Sequence, residues 1–166
     1  MGKRREARER AVQFLFQHDL NPPEEVGAAL EEFWRSLRAA SQNRHARSTA
    51  PGDAGQSPPP DTDESALRLF ADPLIRGTLE HRDEIDARIR LLARNWELHR
   101  MATVDRNVLR LAIYEMLYRQ DIPPVVSINE AVDIAKKYST DDSGRFVNGI
   151  LDSFRKELMR PARIVA

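Results

Sequence analysis

Residues 103–119 read TVDRNVLRLAIYEMLYR, and this stretch decides the class of fold. Val104, Val108, Leu111, Ala112 and Met116 recur at three- and four-residue spacing, the period of one face of an α-helix. Leu109, Ile113 and Leu117 widen that stripe. A helix apolar around so much of its circumference belongs in the interior, with other helices packed around it. Thr103 is its expected N-cap, and Asp105 is an acid in the first turn. Glu115 interrupts the apolar surface and is expected to accept a structural hydrogen bond or ion pair, with Arg119 four residues on. A catalytic carboxylate would want a second one close by, and the stretch offers none.

Working outward, Ile122-Pro123-Pro124 stops this helix. Ser127-Ile128-Asn129-Glu130 has the form of a capping box for a helix running to about Tyr138. Asp142 is the expected cap of a last helix, whose stripe is Val147, Ile150, Leu151 and Phe154. Upstream, helical periodicity covers 82–95 and 64–80, with Pro73 expected to kink or split the latter. It covers 24–40 and 3–19 as well, the last closed by Asn21-Pro22-Pro23. No run shows the period-2 alternation of a strand. The expected architecture is all-α, about seven helices in a single domain spanning 1–166.

Residues 41–65 differ in kind. They hold four prolines, two glycines and no apolar side chain larger than alanine. Such a stretch buries too little surface to offset its ordering entropy, so a flexible low-complexity insert is expected there. It follows the second helix and is expected to sit away from the basic N-terminus.

At 41% hydrophobic and 31% charged residues, the chain should fold. Lys plus Arg number 26 and Asp plus Glu 26, which excludes a globally cationic nucleic-acid coat. Nucleic-acid binding would have to come from a local patch. The absence of cysteine excludes disulfides, thiolate metal sites and a cysteine nucleophile. The opening MGKRREARERAVQFLF lacks the apolar segment of a secretory signal, and no run approaches the ~18 apolar residues of a membrane span. A cytoplasmic protein without membrane contact is expected.

Catalytic patterns are missing. His18, His45, His81 and His99 are scattered, and no HExxH, phosphate-cradling glycine motif or nucleophile elbow occurs. Asp141-Asp142-Ser143-Gly144 lacks the alternating ligands of a calcium loop. No enzyme activity, metal or cofactor is expected.

The first ten residues supply the local patch: Lys3, Arg4, Arg5, Arg8 and Arg10 against Glu6 and Glu9. Arg4 and Arg8 are one helical turn apart and share a face. Guanidinium groups offer a planar fork to phosphate and a plane to unpaired bases. Gln13 lies further along the same helix and can reach a base edge or phosphate, or simply face solvent.

Four blocks carry a more specific signal. They are Arg4 to Asp19 (RREARERAVQFLFQHD); Asn95-Trp96 followed by Val104 to Glu115 (VDRNVLRLAIYE); Pro124 to Val132 (PVVSINEAV) ending in Ala135 to Tyr138 (AKKY); and Asp142 to Asp152 (DSGRFVNGILD). In this order they resemble the family of the bacterial transcription antitermination factor NusB, over nearly the whole chain except the insert. The resemblance implies two small helical bundles packed together. It implies binding of boxA-type RNA in nascent ribosomal transcripts. It implies a heterodimer with the small-subunit ribosomal protein that doubles as NusE, and indirect contact with other Nus factors and RNA polymerase.

On this resemblance Lys3, Arg4, Arg5, Arg8, Gln13, Arg145 and Phe146 are the RNA-binding candidates. Phe16, Asp105 and Asp142 are the candidates for the protein partner. Each has a plainer reading: Phe16 and Phe146 as core, Asp105 as a first-turn charge, Asp142 as an N-cap. Glu6 interrupts the basic run and weakens or shifts the patch. Replacing Arg5 and Arg8 by alanine is expected to weaken RNA binding and leave the helical fold intact. The competing class is a helical adaptor or scaffold without an RNA role, including a homodimer.

Overall fold

The computed structural model describes residues 2–46 and 62–159, and every regular element within them is helical. In chain order these are α1 (Lys3–Leu20), α2 (Val26–Ala46), α3 (Thr62–Glu80), α4 (Arg82–Leu92), a short 3-10 turn (Leu98–Arg100), α5 (Thr103–Tyr118), α6 (Pro124–Tyr138) and α7 (Asp141–Met159). The all-α, seven-helix expectation therefore holds. α1, α2 and α3 form one bundle, and α4 to α7 form the second. α1 packs against α3 and α5, and its Arg5 and Glu9 side chains reach α6, so it joins the two.

α5 is central, as its sequence demands. It packs against α1, α3, α4, α6 and α7. Leu109 and Ile113 are completely buried, each contributing roughly 1.5–3 kcal/mol of transfer free energy. In the first bundle Phe14 of α1 meets Phe33 of α2 edge-on at 5.5 Å, and Phe33 meets Trp34 in the same manner. Trp34 is buried, and its indole N–H donates to Asp72 of α3 at 2.9 Å.

Several boundaries differ from the sequence reading, each for a local reason. α2 starts at Val26 because the Glu25 carboxylate, just before it, accepts the amides of Gly27 and Ala28 at 2.7 and 2.6 Å. Residues 41–46 continue α2 and residues 62–65 open α3, so the insert narrows to 47–61, outside the described residues. The expectation that it sits away from the basic N-terminus therefore also lies outside the described residues. Asp63, in the first turn of α3, pairs with Lys3 at 2.9 Å. Pro73 does not split α3. It lies on the exposed face, as does Leu69 one turn earlier, whose carbonyl loses its amide donor on the solvent side.

The expected caps shift too. Ala102 precedes α5, and Thr103 is its first residue. α6 starts at Pro124, where a missing N–H costs nothing. Ser127 is therefore buried within the helix rather than capping it, and Glu130 turns to Arg5 instead. For α7 the cap is Thr140, whose hydroxyl accepts the Ser143 amide at 3.0 Å. No helix among the described residues is long and apolar enough to cross a membrane.

Candidate nucleic-acid interface

α1 carries most of the candidate residues, and its packing sorts them. Lys3 and Arg4 are exposed at its first turn. Lys3 pairs with Asp63, and both side chains remain largely in water, so this bond is weak. Arg4 makes no ion pair among the described residues; its guanidinium lies 5.0 Å from the Phe70 ring centre. Arg8 at 5.0 Å and Arg119 at 5.3 Å approach the same ring. Three cations around one aromatic ring hold α1, α3 and the end of α5 together.

Arg5 is half-exposed and donates to both carboxylate oxygens of Glu130, at 2.8 and 3.2 Å, and to Asp133 at 2.8 Å. Its charge is thus shared with two carboxylates of α6. Arg10 donates to Gln13 at 3.1 Å and lies 3.9 Å from Glu6. Gln13 thus steadies Arg10.

Arg8 stands apart. It is 3% exposed, and its Nε donates to Glu115 Oε1 at 2.8 Å. Burial pushes the Glu115 carboxyl above the usual carboxylate range, and the charge and hydrogen bond of Arg8 oppose that rise. The structure withdraws Arg8 from the exposed basic face and makes it the partner expected of Arg119. Arg119 instead pairs with Asp121 at 3.0 Å. Glu9, beside Arg8, is buried and accepts Lys137 at 3.0 Å and the Tyr138 hydroxyl at 3.1 Å. Lys137 and Tyr138, the last two residues of α6, thus share one carboxylate of α1.

α1 and α5 run antiparallel, so the far end of α1 meets the start of α5. There Asp19 accepts Arg106, Asn107, Arg110 and Arg82. Burial alone would raise the Asp19 carboxyl; the hydrogen bonds from Arg106 and Asn107 and the nearby guanidinium charges outweigh it and hold the group at about 2. Arg110 also bonds both oxygens of Asp86, at 2.7 and 3.1 Å. This buried network locks α1, α4 and α5.

The remaining candidates cluster around this end. Asp105 is buried, and its Oδ2 accepts the Ser143 hydroxyl at 3.0 Å, tying α5 to α7. Its Oδ1 is buried with no hydrogen-bond partner among the described residues. Burial raises the pKa of this carboxyl, against the Ser143 bond. Asp142 and Arg145 are both exposed and meet at 3.3 Å. Phe146 is half-buried against the core and touches Trp96 edge-on at 5.7 Å. Phe16 is half-buried and stands outside the core cluster that takes in Phe146.

The candidates thus fall into two groups. Lys3, Arg4 and Arg5 lie at one end of α1; Arg145, Phe146, Asp105 and Asp142 lie toward the other. Trp96, which the sequence reading did not single out as a site residue, belongs to the second group. The available signal was an aromatic in wholly polar company, Arg94-Asn95-Trp96-Glu97. Among the described residues no cluster of three or more metal-ligating side chains occurs.

Two packed helical bundles with arginine-rich and aromatic edges define an all-α domain built to present surface. The model of the NusB family matches residues 5–156, and the chain belongs to that family. It is 43% identical over 162 residues to the transcription antitermination protein NusB of Thermodesulfovibrio yellowstonii, covering 93% of each chain. Among solved structures it is similar to T. maritima NusB, at 37% identity and TM-score 0.68, covering 93% of this chain and 91% of that one. It is also similar to a structure of antitermination factors NusB and NusE in complex with dsRNA, at 25% identity and TM-score 0.69, covering 95% and 98%.

Proposed function

We propose that this chain acts in transcription antitermination by binding boxA-type RNA of nascent ribosomal transcripts together with a NusE-type small-subunit ribosomal protein. Near-full-length relationship to NusB proteins carries this reading. Lys3, Arg4 and Arg5 supply the phosphate-facing charge at the start of α1. Arg8 supports that surface from within, by holding α1 to α5. Phe16 outside the core and the exposed Asp142 are suited to the protein partner, and Asp105 positions the start of α7 behind them. Other Nus factors and RNA polymerase are then reached through the assembled pair, in the cytoplasm. The role is binding, and no reaction is assigned.

With acids already engaging Lys3 and Arg5, RNA binding by the chain alone is weak and is strengthened by the partner. The test is a titration of labelled boxA-like RNA against a scrambled control, with and without the NusE-type protein, at two salt concentrations. Sequence preference that the partner strengthens and salt weakens supports the proposal. No preference for the boxA-like RNA under any of these conditions would favour a helical adaptor, and sedimentation would then decide whether that adaptor is a homodimer.

A further inference from the structure

We propose that Trp96, Arg90 and Arg94 form a second contact for unpaired RNA, a stacking platform at the end of α1 opposite Lys3 and Arg4. The inference rests on the RNA-binding reading above and assigns where the strand is held beyond the N-terminal patch.

Trp96 is 60% exposed, yet its position is fixed. Its amide donates to the Ala93 carbonyl at 3.0 Å, and its ring meets Phe146 at 68°. Phe146 is in turn packed on the core. An edge-on neighbour holds an indole without covering both its faces, so a planar face stays open to solvent. Trp96 lines a groove of about 770 Å³ together with five arginines and only three acids.

Three of those arginines, Arg82, Arg106 and Arg110, are committed to Asp19 and Asp86. Arg90 and Arg94 are exposed and have no ion-pair partner among the described residues. The groove therefore has two guanidinium groups free for phosphate beside one free aromatic face. An unpaired base with its phosphate satisfies both at once. A duplex hides its base faces, and a polyglutamate chain has no aromatic ring to stack on the indole.

The chain has two tryptophans. Trp34 is 2% exposed and hydrogen-bonded to Asp72, so a change in indole emission on adding a ligand reports Trp96. The full chain, with its NusE-type partner present, is titrated with single-stranded boxA-like RNA, the same sequence as a duplex, and polyglutamate. A fluorescent label on the RNA gives affinity independently. Single-stranded RNA should quench the emission. Trp96→Ala should bind on the order of tenfold more weakly with unchanged circular dichroism, and Trp96→Phe should retain most of the affinity. Arg90→Ala with Arg94→Ala should flatten the salt slope by about one to two.

Labelled RNA that binds these variants as tightly as the parent, with emission unchanged, would overturn the platform and leave the RNA-binding reading standing. Absence of RNA binding by the parent would overturn both. Polyglutamate quenching as strongly as RNA would make the groove a protein-binding surface and also overturn the platform.

Discussion

Arg8 Nε donates to Glu115 Oε1 at 2.8 Å, with Arg8 3% and Glu115 1% exposed, so an arginine of the basic N-terminal run is a core residue. Removing it leaves an uncompensated buried carboxylate. Arg8→Ala should lose about 3–5 kcal/mol of stability, read as a lower urea midpoint by circular dichroism. Replacing both residues by apolar side chains of similar volume should recover much of that loss. The expectation that Arg8 can be changed with the fold intact is thereby replaced, and any fall in RNA binding by Arg8→Ala must be read against its folded fraction.

Arg5 is the better probe of RNA contact. It is half-exposed and bonded to Glu130 and Asp133. Arg5→Ala should change stability by less than about 1 kcal/mol and lower the slope of log affinity against log salt by about one. Glu130→Gln with Asp133→Asn should act in the opposite sense, because Arg5 no longer has to leave two carboxylates to meet phosphate. A filter-binding salt series on the three proteins separates these outcomes.

The acid limb of stability should depend on Asp19. Its carboxyl is held at about 2, below its ordinary value of 3.8. A depressed folded pKa contributes stability that is present above the unfolded value and lost as pH falls through the folded one. The gap corresponds to on the order of 2 kcal/mol, disappearing between roughly pH 4 and pH 2. Asp19→Asn should be less stable at neutral pH and show a shallower decline over that window in urea midpoints.

Gly77 tests packing against propensity. Within a helix, glycine to alanine ordinarily gains about 1 kcal/mol. Here a Cβ would overlap the ring and hydroxyl of Tyr114, which faces Gly77 across the contact of α3 with α5. Overpacking of this kind costs about 1–3 kcal/mol, so Gly77→Ala should lower the thermal midpoint. Adding Tyr114→Phe should not restore it, since the overlap includes ring carbons.

Helix number and order were legible because apolar periodicity and proline breaks are local signals, and α5 shows them most clearly. Caps were less legible. Thr103, Ser127 and Asp142 all have the right chemistry, but Ser127 is drawn into the interior and Thr140 stands closer to the Ser143 amide. The burial of Arg8 was hidden for a different reason. Its partner Glu115 is 107 residues away, and no spacing within α1 reveals which of its charges will be covered. The insert was read too wide because polar residues can prolong a helix into solvent, as 41–43 do. Phe146 was legible as an aromatic near the α7 start, whereas the exposure of Trp96 depends on how the turn before α5 is folded.

The antiparallel pairing of α1 with α5 turns α1 into a ruler. Arg5 and Asp19 mark positions about 20 Å apart along its axis, one at the N-terminal arginines and the other in the wall of the Trp96 groove. A rigid spacing of two weak contacts selects ligands by length. Oligonucleotides too short to bridge it engage one end and dissociate independently of the other; those that bridge it gain from the high effective concentration of the second contact. Affinity plotted against RNA length should therefore rise in a step rather than a ramp, at the length that covers the helix.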